Sequence, residues 1–452
     1  MMTIASSARA INTQLIKSRL LQKNGQSLLL IFGNTFNIYM ETKTAISFEN
    51  TEYAFAYKKD ADLKKAQLLF SLMGTQWLVS LGLKLTPLAI KWNLPFTKSI
   101  IRSTIFKQFV GGETLDETSA VAKKLGEYNV KVILDYGVEG GDDGEHGFDQ
   151  STEEFIRVIN YAATQSNIPF MSIKVTGFSR FALLEKIDGL MHNAEGTLMK
   201  RYLRALDLLD ESEREEWHRV RSRMVKICET AHKKNIGILV DAEETWIQDP
   251  VDALTILMMD ILNKNGAVVY NTLQLYRTDR LQFLKDSYQA AAERNFILGA
   301  KLVRGAYMEN ERQRAAEMNY PSPIQTDKES CDKDYNAAVV FCVEHLDKIA
   351  VIVASHNDYS NLRTTQLLDE KNIAHNHPHV HFSQLYGMSD NITFNLARAG
   401  CSVSKYLPFG PIKDVIPYLM RRAKENSSMS GQTGRELVLI KKEMKRRGNP
   451  IS

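Results

Sequence analysis

Five cations hold positions in the chain that invite one explanation. Lys174, and Lys301 with Arg304, close short apolar runs rich in β-branched residues, and Arg421 and Arg422 follow the last such run. Clustered ammonium and guanidinium groups suit an anionic ligand, a carboxylate or a phosphate. Further runs end on Asp135, Asp241, Gln274, His356 with Asn357, Gln384, and Lys405 with Tyr406. Singly, each has a plain structural reading: Lys174 as a solvated lysine, Asp241 as a helix cap, the arginine pair as one exposed and one salt-bridged side chain. A purely structural fold has no reason to gather so many ionisable and amide groups at run ends, and together they predict a polar pocket. Neighbouring residues on a helix point about 100° apart, so both arginines reach one ligand only if their helix lies over the site.

The elements that must position these groups repeat regularly. Eight runs, at 130–136, 169–176, 236–242, 267–275, 296–303, 351–355, 380–384 and 402–407, are each followed by a helical stretch, such as 152–164 and 249–263. Strict alternation predicts an α/β fold with a parallel sheet, and eight units predict a closed (βα)8 barrel over 128–430. Such barrels place their chemistry at the C-terminal ends of the strands, where these polar residues fall. The rival open, doubly wound sheet lacks a G-x-G-x-x-G after any strand.

Outside the barrel, 40–127 reads as a helical arm, with apolar residues of 62–70 on one face and Pro87 and Pro95 as breaks. The long connection 180–235 carries an acidic stretch at 211–216, read as a solvated helix face. Residues 431–452 form a basic tail, either a solvated helix end or a contact with an anionic membrane surface. The first 39 residues contain no Asp or Glu. They read as an extension outside the fold, from a mispredicted start before Met40 or a transit peptide.

Composition excludes several classes. With 44% hydrophobic and 24% charged residues the chain has ample core and is neither disordered nor collagen-like. A net charge of +4 gives no footprint for nucleic acid. Four dispersed cysteines suggest reduced thiols, without a disulfide framework or zinc ribbon. No stretch approaches the ~20 apolar residues of a membrane span, so any membrane contact is peripheral. Histidines at 375, 377, 379 and 381 alternate across a strand, and the acidic loop 139–145 lacks calcium-loop spacing, so no metal is expected.

The run Lys301-Leu302-Val303-Arg304-Gly305-Ala306-Tyr307 resembles the proline dehydrogenase family. So do Ser172-Ile173-Lys174, Asp241-Ala242-Glu243-Glu244, Asn271-Thr272-Leu273-Gln274, Ser355-His356-Asn357, Gln384-Leu385-Tyr386-Gly387-Met388, Tyr406-Leu407-Pro408-Phe409-Gly410 and Tyr418-Leu419-Met420-Arg421-Arg422, in order from about residue 50 to 428. The resemblance is to stand-alone enzymes without an aldehyde dehydrogenase domain. It implies FAD in the barrel, oxidation of L-proline to Δ1-pyrroline-5-carboxylate, and electrons passed to a membrane quinone. It further implies that Lys174, Arg421 and Arg422 bind the carboxylate, that Asp241 orients the charge network, and that Tyr307 and Tyr406 pack on the substrate ring. Asp241 and Lys301 are then the catalytic candidates. Gln274, Lys301, Val303, Arg304, Gly305, Ala306, Ser355, His356, Asn357, Gln384 and Glu425 match positions near FAD. Some branches carry Arg-x-x-Lys where this chain has Lys301-x-x-Arg304, which leaves open which cation faces flavin N5.

Three rivals remain: a hydroxyproline dehydrogenase, disfavoured by a bulky Tyr406; a Schiff-base aldolase using Lys174 or Lys301; and a non-catalytic regulator. The location implied is the bacterial cytoplasm, peripheral to the inner membrane, or alternatively the matrix side of the mitochondrial inner membrane.

Overall fold

In the computed structural model, residues 46–92, 96–137, 144–428 and 432–448 are described. The chain opens with helices α1 (Thr51–Phe55), α2 (Asp60–Met73), α3 (Gln76–Lys91) and α4 (Thr97–Ile101), the last prolonged by a π-turn segment to Phe109. Helix α5 (Leu115–Gly126) then leads into the first strand. The Asn50 and Thr114 side chains cap α1 and α5 by accepting from the backbone N–H of the third helical residue, Tyr53 and Glu117. Pro87 does not break the arm as its sequence suggested: α3 runs through it to Lys91. Pro95 lies outside the described residues.

The eight expected strands are all present, in sequence order around a closed parallel barrel. They alternate with helices as β1 (Lys131–Tyr136), α6 (Gly144–Ala162), β2 (Phe170–Ile173), α7 (Phe181–His192), α8 (Leu198–Asp207), α9 (Glu211–Lys234), β3 (Gly237–Val240), α10 (Gln248–Leu262), β4 (Val269–Gln274) and α11 (Arg280–Arg294). There follow β5 (Leu298–Val303), α12 (Met308–Met318), α13 (Lys328–Glu344), β6 (Ile349–Ala354), α14 (Asp358–Glu370), β7 (Val380–Leu385), α15 (Asp390–Arg398), β8 (Val403–Phe409), α16 (Ile412–Ser428) and α17 (Gln432–Arg446). Asn235, Asn295 and Asn319 end α9, α11 and α12 in the left-handed region, which asparagine tolerates because its short amide bonds locally. The acidic stretch at 211–216 starts α9 behind a capping box from Asp210 and Glu213. Its Glu216 accepts from Arg180 at 2.7 Å, so this face is partly tied down as well as solvated.

Two features join the arm to the barrel. Helix α1 packs on α15 and α2 on α17, around a core that includes Phe55, Phe70, Ile440 and Met444. The segment read as a basic tail is therefore, from 432 to 446, a helix with a buried apolar face. Its Arg447 donates to the Phe55 and Lys58 carbonyls at 2.9 Å each and so ties inward to the arm. The second feature is Gly387, after β7, with φ +81: a Cβ there would stand 2.0 Å from the Gln108 carbonyl oxygen. Only glycine lets the arm approach this closely, and the Gln108 amide donates to the Gly387 carbonyl at 2.7 Å.

Candidate active site at the barrel mouth

Register decides which strand residues face the lumen. Ile133, Leu239, Ile352 and Tyr406 form the interior cluster. In a parallel ladder, paired residues point to the same side and alternate residues to opposite sides. Ile133 pairs with Tyr406 and Thr272 with Lys301, which pairs in turn with Ile352. Counting by two, Asp135, Lys174, Asp241, Gln274, Lys301 and Tyr406 all project inward at the C-terminal ends. Lys405 and Gln384, paired with each other, project outward.

Those two are corrections to the sequence reading. Lys405 has no exposed surface and forms an ion pair with Asp390 at 2.9 Å, outside the barrel wall. The Gln384 amide donates to the Ser355 carbonyl at 3.2 Å and to Asn361 at 3.3 Å, and accepts from Thr393 at 2.8 Å. It braces the loop after β6 from behind.

Inside the mouth, Lys301 donates to Asp241 at 2.5 Å, and the Tyr406 hydroxyl donates to the other oxygen of that carboxylate at 2.7 Å. The Lys301 ammonium stands 5.0 Å from the Tyr406 ring centre. Burial alone would raise the Asp241 carboxyl, but the Lys301 charge and donors from Lys301, Tyr406 and Ser172 hold it below the usual carboxylate range. Asp135 goes the other way. Burial pushes it up to about 6, against the pull of Lys174; the Asp241 charge adds to the rise, while the Tyr406 hydrogen bond and Lys301 oppose it. Sequence reading placed Asp135 at the rim but gave it no role.

The helix carrying the arginine pair does cross the mouth. The Arg421 guanidinium lies 6.0 Å from the Tyr307 ring, at the start of α12, and the charges of Lys174 and Arg421 both act on that phenol. Arg422 is buried, stacks 5.2 Å from the Tyr418 ring and donates to Glu425 at 2.6 Å. Its charge also reaches His356, which follows β6. Burial, followed by Lys405, Arg422 and Arg304, drives that imidazole down to about 3, so it is neutral; it hydrogen-bonds Ser389 at 2.9 Å.

Arg304 sits at the rim between β5 and β6. It is held by Asp332 at 2.7 Å, Ser355 at 2.8 Å and Ser360 at 3.1 Å, and stacks 4.3 Å from the Tyr335 ring. Asp332 and Ser360 went unseen in the sequence because they lie on α13 and α14, where no strand end marks them. Asn357 caps α14 by accepting from Ser360 N–H at 3.0 Å, so that helix N-terminus opens beside Arg304.

These residues fit a large anionic cofactor. The buried Gln274 Oε1 projects into the lumen with no hydrogen-bond partner in the protein, and such an orphan acceptor calls for a donor from a bound molecule. Arg304 and the α14 N-terminus suit a pyrophosphate. Gly305, at φ +147, would place a Cβ 2.5 Å from the Tyr276 ring, so the rim between Arg304 and Tyr307 needs a bare backbone. The histidine stretch does not converge. His381 packs edge-on against Phe170 inside the barrel and bonds Ser402 and Ser404, whereas His379 meets the Leu346 carbonyl at 2.6 Å. Among the described residues no His, Cys, Asp and Glu group is arranged to hold a metal ion. Of the acidic loop 139–145, residues 139–143 lie outside the described residues; Gly144 and Glu145 open α6, and Glu145 pairs with Arg219 at 2.8 Å and with Arg223.

The family model described as proline dehydrogenase matches residues 118–435. Over 374 residues the chain is 32% identical to the mitochondrial proline dehydrogenase 1 of Dictyostelium discoideum, covering 77% of this chain and 65% of that protein. It is 29% identical over 365 residues to a hydroxyproline dehydrogenase of Xenopus laevis, covering 77% of this chain and 78% of that one. Among solved structures, proline utilization A from Bdellovibrio bacteriovorus, inactivated by N-propargylglycine, aligns with a TM-score of 0.63 at 19% identity. That likeness is one of fold, and it covers 75% of this chain but 35% of the longer one. The chain thus spans just under two thirds of the Dictyostelium relative and about a third of the proline utilization A chain. With the eight-stranded barrel and its match from α5 to α17, the chain belongs to the proline dehydrogenase family of oxidoreductases.

Proposed function

We propose that the chain oxidises L-proline to Δ1-pyrroline-5-carboxylate with FAD held in the barrel mouth, and that the electrons leave to a membrane quinone. The observation that carries this reading is the inward-facing set Asp135, Lys174, Asp241, Lys301 and Tyr406 beneath the helix that bears Arg421 and Arg422. When bound, FAD supplies an acceptor for the hydride that leaves ring C5 of the substrate. The residues that would hold it are Gln274, Lys301, Val303, Arg304, Gly305, Ala306, Ser355, His356, Asn357 and Glu425, with Gln384 supporting from behind.

Arg421, Arg422 and Lys174 grip the carboxylate, a planar anion matched by guanidinium forks. Asp241 fixes Lys301 and the Tyr406 phenol in one geometry, so the ring stays aligned without mobile polar groups nearby. Tyr307 and Tyr406 exclude water from the reacting carbon. The substrate amine must shed a proton as hydride leaves, and Asp135, poised near neutrality, accepts it.

Purified protein loaded with FAD should bleach in visible absorbance when L-proline is added without oxygen. A chain that takes up no FAD, or stays yellow with proline, sinks the reading. The hydroxyproline reading draws support from the Xenopus laevis relative. Against it stands the Tyr406 phenol, fixed on Asp241 where a ring hydroxyl would need room; turnover of the two substrates side by side decides. An aldolase working through Lys301 is disfavoured because that ammonium is committed to Asp241; trapping by borohydride tests the same chemistry at Lys174. The relatives named mitochondrial favour the matrix side of the inner membrane over a bacterial cytoplasm.

A further inference from the structure

The arm carries an apolar face that nothing in the described structure covers. Leu68 and Leu72 on α2 are 63% and 47% exposed, and Trp77 and Leu85 on α3 are 66% and 52% exposed. Leu81 lies between the last two, so α3 shows one bare stripe at successive turns. Trp92, Phe96 and Ile100, further along the arm, are exposed as well, with Phe96 at 80%. Scattered surface hydrophobes need no explanation, but a run of this size within one short segment does.

The charge of the same segment is one-sided. From residue 63 to 112 the sequence has seven Lys and Arg and no Asp or Glu. Arg102 is taken up by Glu113 and Glu117, and Lys107 lies 3.8 Å from Asp62. Lys64, Lys65, Lys84 and Lys98 stand exposed. Exposed indole rings and leucines flanked by lysines match an interface between hydrocarbon and anionic headgroups. A protein partner would need acidic and apolar groups in a matching layout, whereas an anionic bilayer offers both continuously. No helix among the described residues is long and apolar enough to cross a membrane, so the contact would lie flat.

The inner side of α3 adds to this. Val79 and Leu83 face Ile105 from the arm and Ile416, Leu419 and Met420 from α16 across an apolar cleft of about 140 Å³. The cleft thus lies between α3 and the helix that bears Arg421 and Arg422.

We infer that the outer face of α2, α3 and the start of α4 is a docking surface for an anionic lipid bilayer, seated on the leaflet with its lysines at the headgroups. It deepens the proposal that electrons leave to a membrane quinone, but it is read from the arm alone. The test is flotation of the full-length, FAD-loaded protein with vesicles of phosphatidylcholine containing a third phosphatidylglycerol, beside pure phosphatidylcholine vesicles. Wild type should float with the anionic vesicles. Trp77→Ser with Leu81→Ser, and separately Lys64→Glu with Lys84→Glu and Lys98→Glu, should each lower binding at least tenfold. Bleaching by proline in solution should persist in both variants, which separates this test from that of the barrel chemistry. Absence of flotation, or flotation unchanged in both variants, overturns the proposal. So does a lipid-free dimer of the wild type that the Trp77→Ser pair dissolves, since the face would then belong to a second copy.

Discussion

Asp135 on β1 and Asp241 just after β3 share Tyr406 and are driven in opposite directions. Environments that push neighbouring carboxylates to opposite protonation behaviour are the usual way a site acquires one fixed charge and one proton acceptor. Only the ionised form of Asp135 can take a proton, and its carboxyl is protonated below about pH 6. The profile of kcat/KM should therefore fall as pH drops through that value, and Asp135→Asn should abolish this limb and lower the rate about 10²- to 10⁴-fold. A wild-type profile flat between pH 5 and 7 would count against the role. For the arginines, Arg421→Met and Arg422→Met should each raise the KM for proline about 10- to 100-fold, the scale of a lost charged hydrogen bond (about 1.5–3 kcal/mol). Unchanged KM in both would mean that neither grips substrate. At this scale the sequence showed which residue types end the strands but not their phase. Lys405 and Tyr406 are neighbours, and a shift of one residue exchanges the lumen for the wall. Their assignment needed the register of Ile133 with Tyr406.

Among elements, the barrel was legible because each strand is a compact apolar run bounded by helical periodicity, and all eight runs became strands. The flanking segments were not, because their burial depends on partners distant in the chain. Helix α17 looked like a basic tail, yet it shields Leu439, Ile440 and Met444 and puts Glu436 beside Ser389 at 2.6 Å. Beneath α15 a buried ion cluster ties three segments together. Asp390 pairs with Lys405 at 2.9 Å and Lys58 at 3.0 Å and accepts from the Tyr57 hydroxyl at 2.9 Å. Burial would raise the Asp390 carboxyl, but the two lysines outweigh it and depress it to about 2. The sign follows: its contribution is present above the unfolded carboxylate value and is lost as pH falls through about 2. Asp390→Asn leaves a buried ammonium uncompensated and should cost about 3–5 kcal/mol of stability, and Lys405→Met in the same chain should recover much of it. Urea unfolding of wild type, both single variants and the double variant measures this; a single variant as stable as wild type would refute it.

At the scale of the whole molecule, arm, barrel and α17 form one compact unit from residue 47 onward. A division into arm, barrel and tail describes the sequence better than the fold. Helix α1 meets α15, and α2 meets α17, across nearly the full chain length. Lys58 leaves the ribosome early, its partner Asp390 late, and Glu436 later still. The nascent arm therefore has no lasting counterpart for most of synthesis, and its apolar α2 face stays bare until the last helix emerges. Contacts of such separation form slowly. Helix α17 must emerge before the wall around Lys405 can close, which makes the waiting arm a natural client for chaperones and α17 the latch that ends the wait.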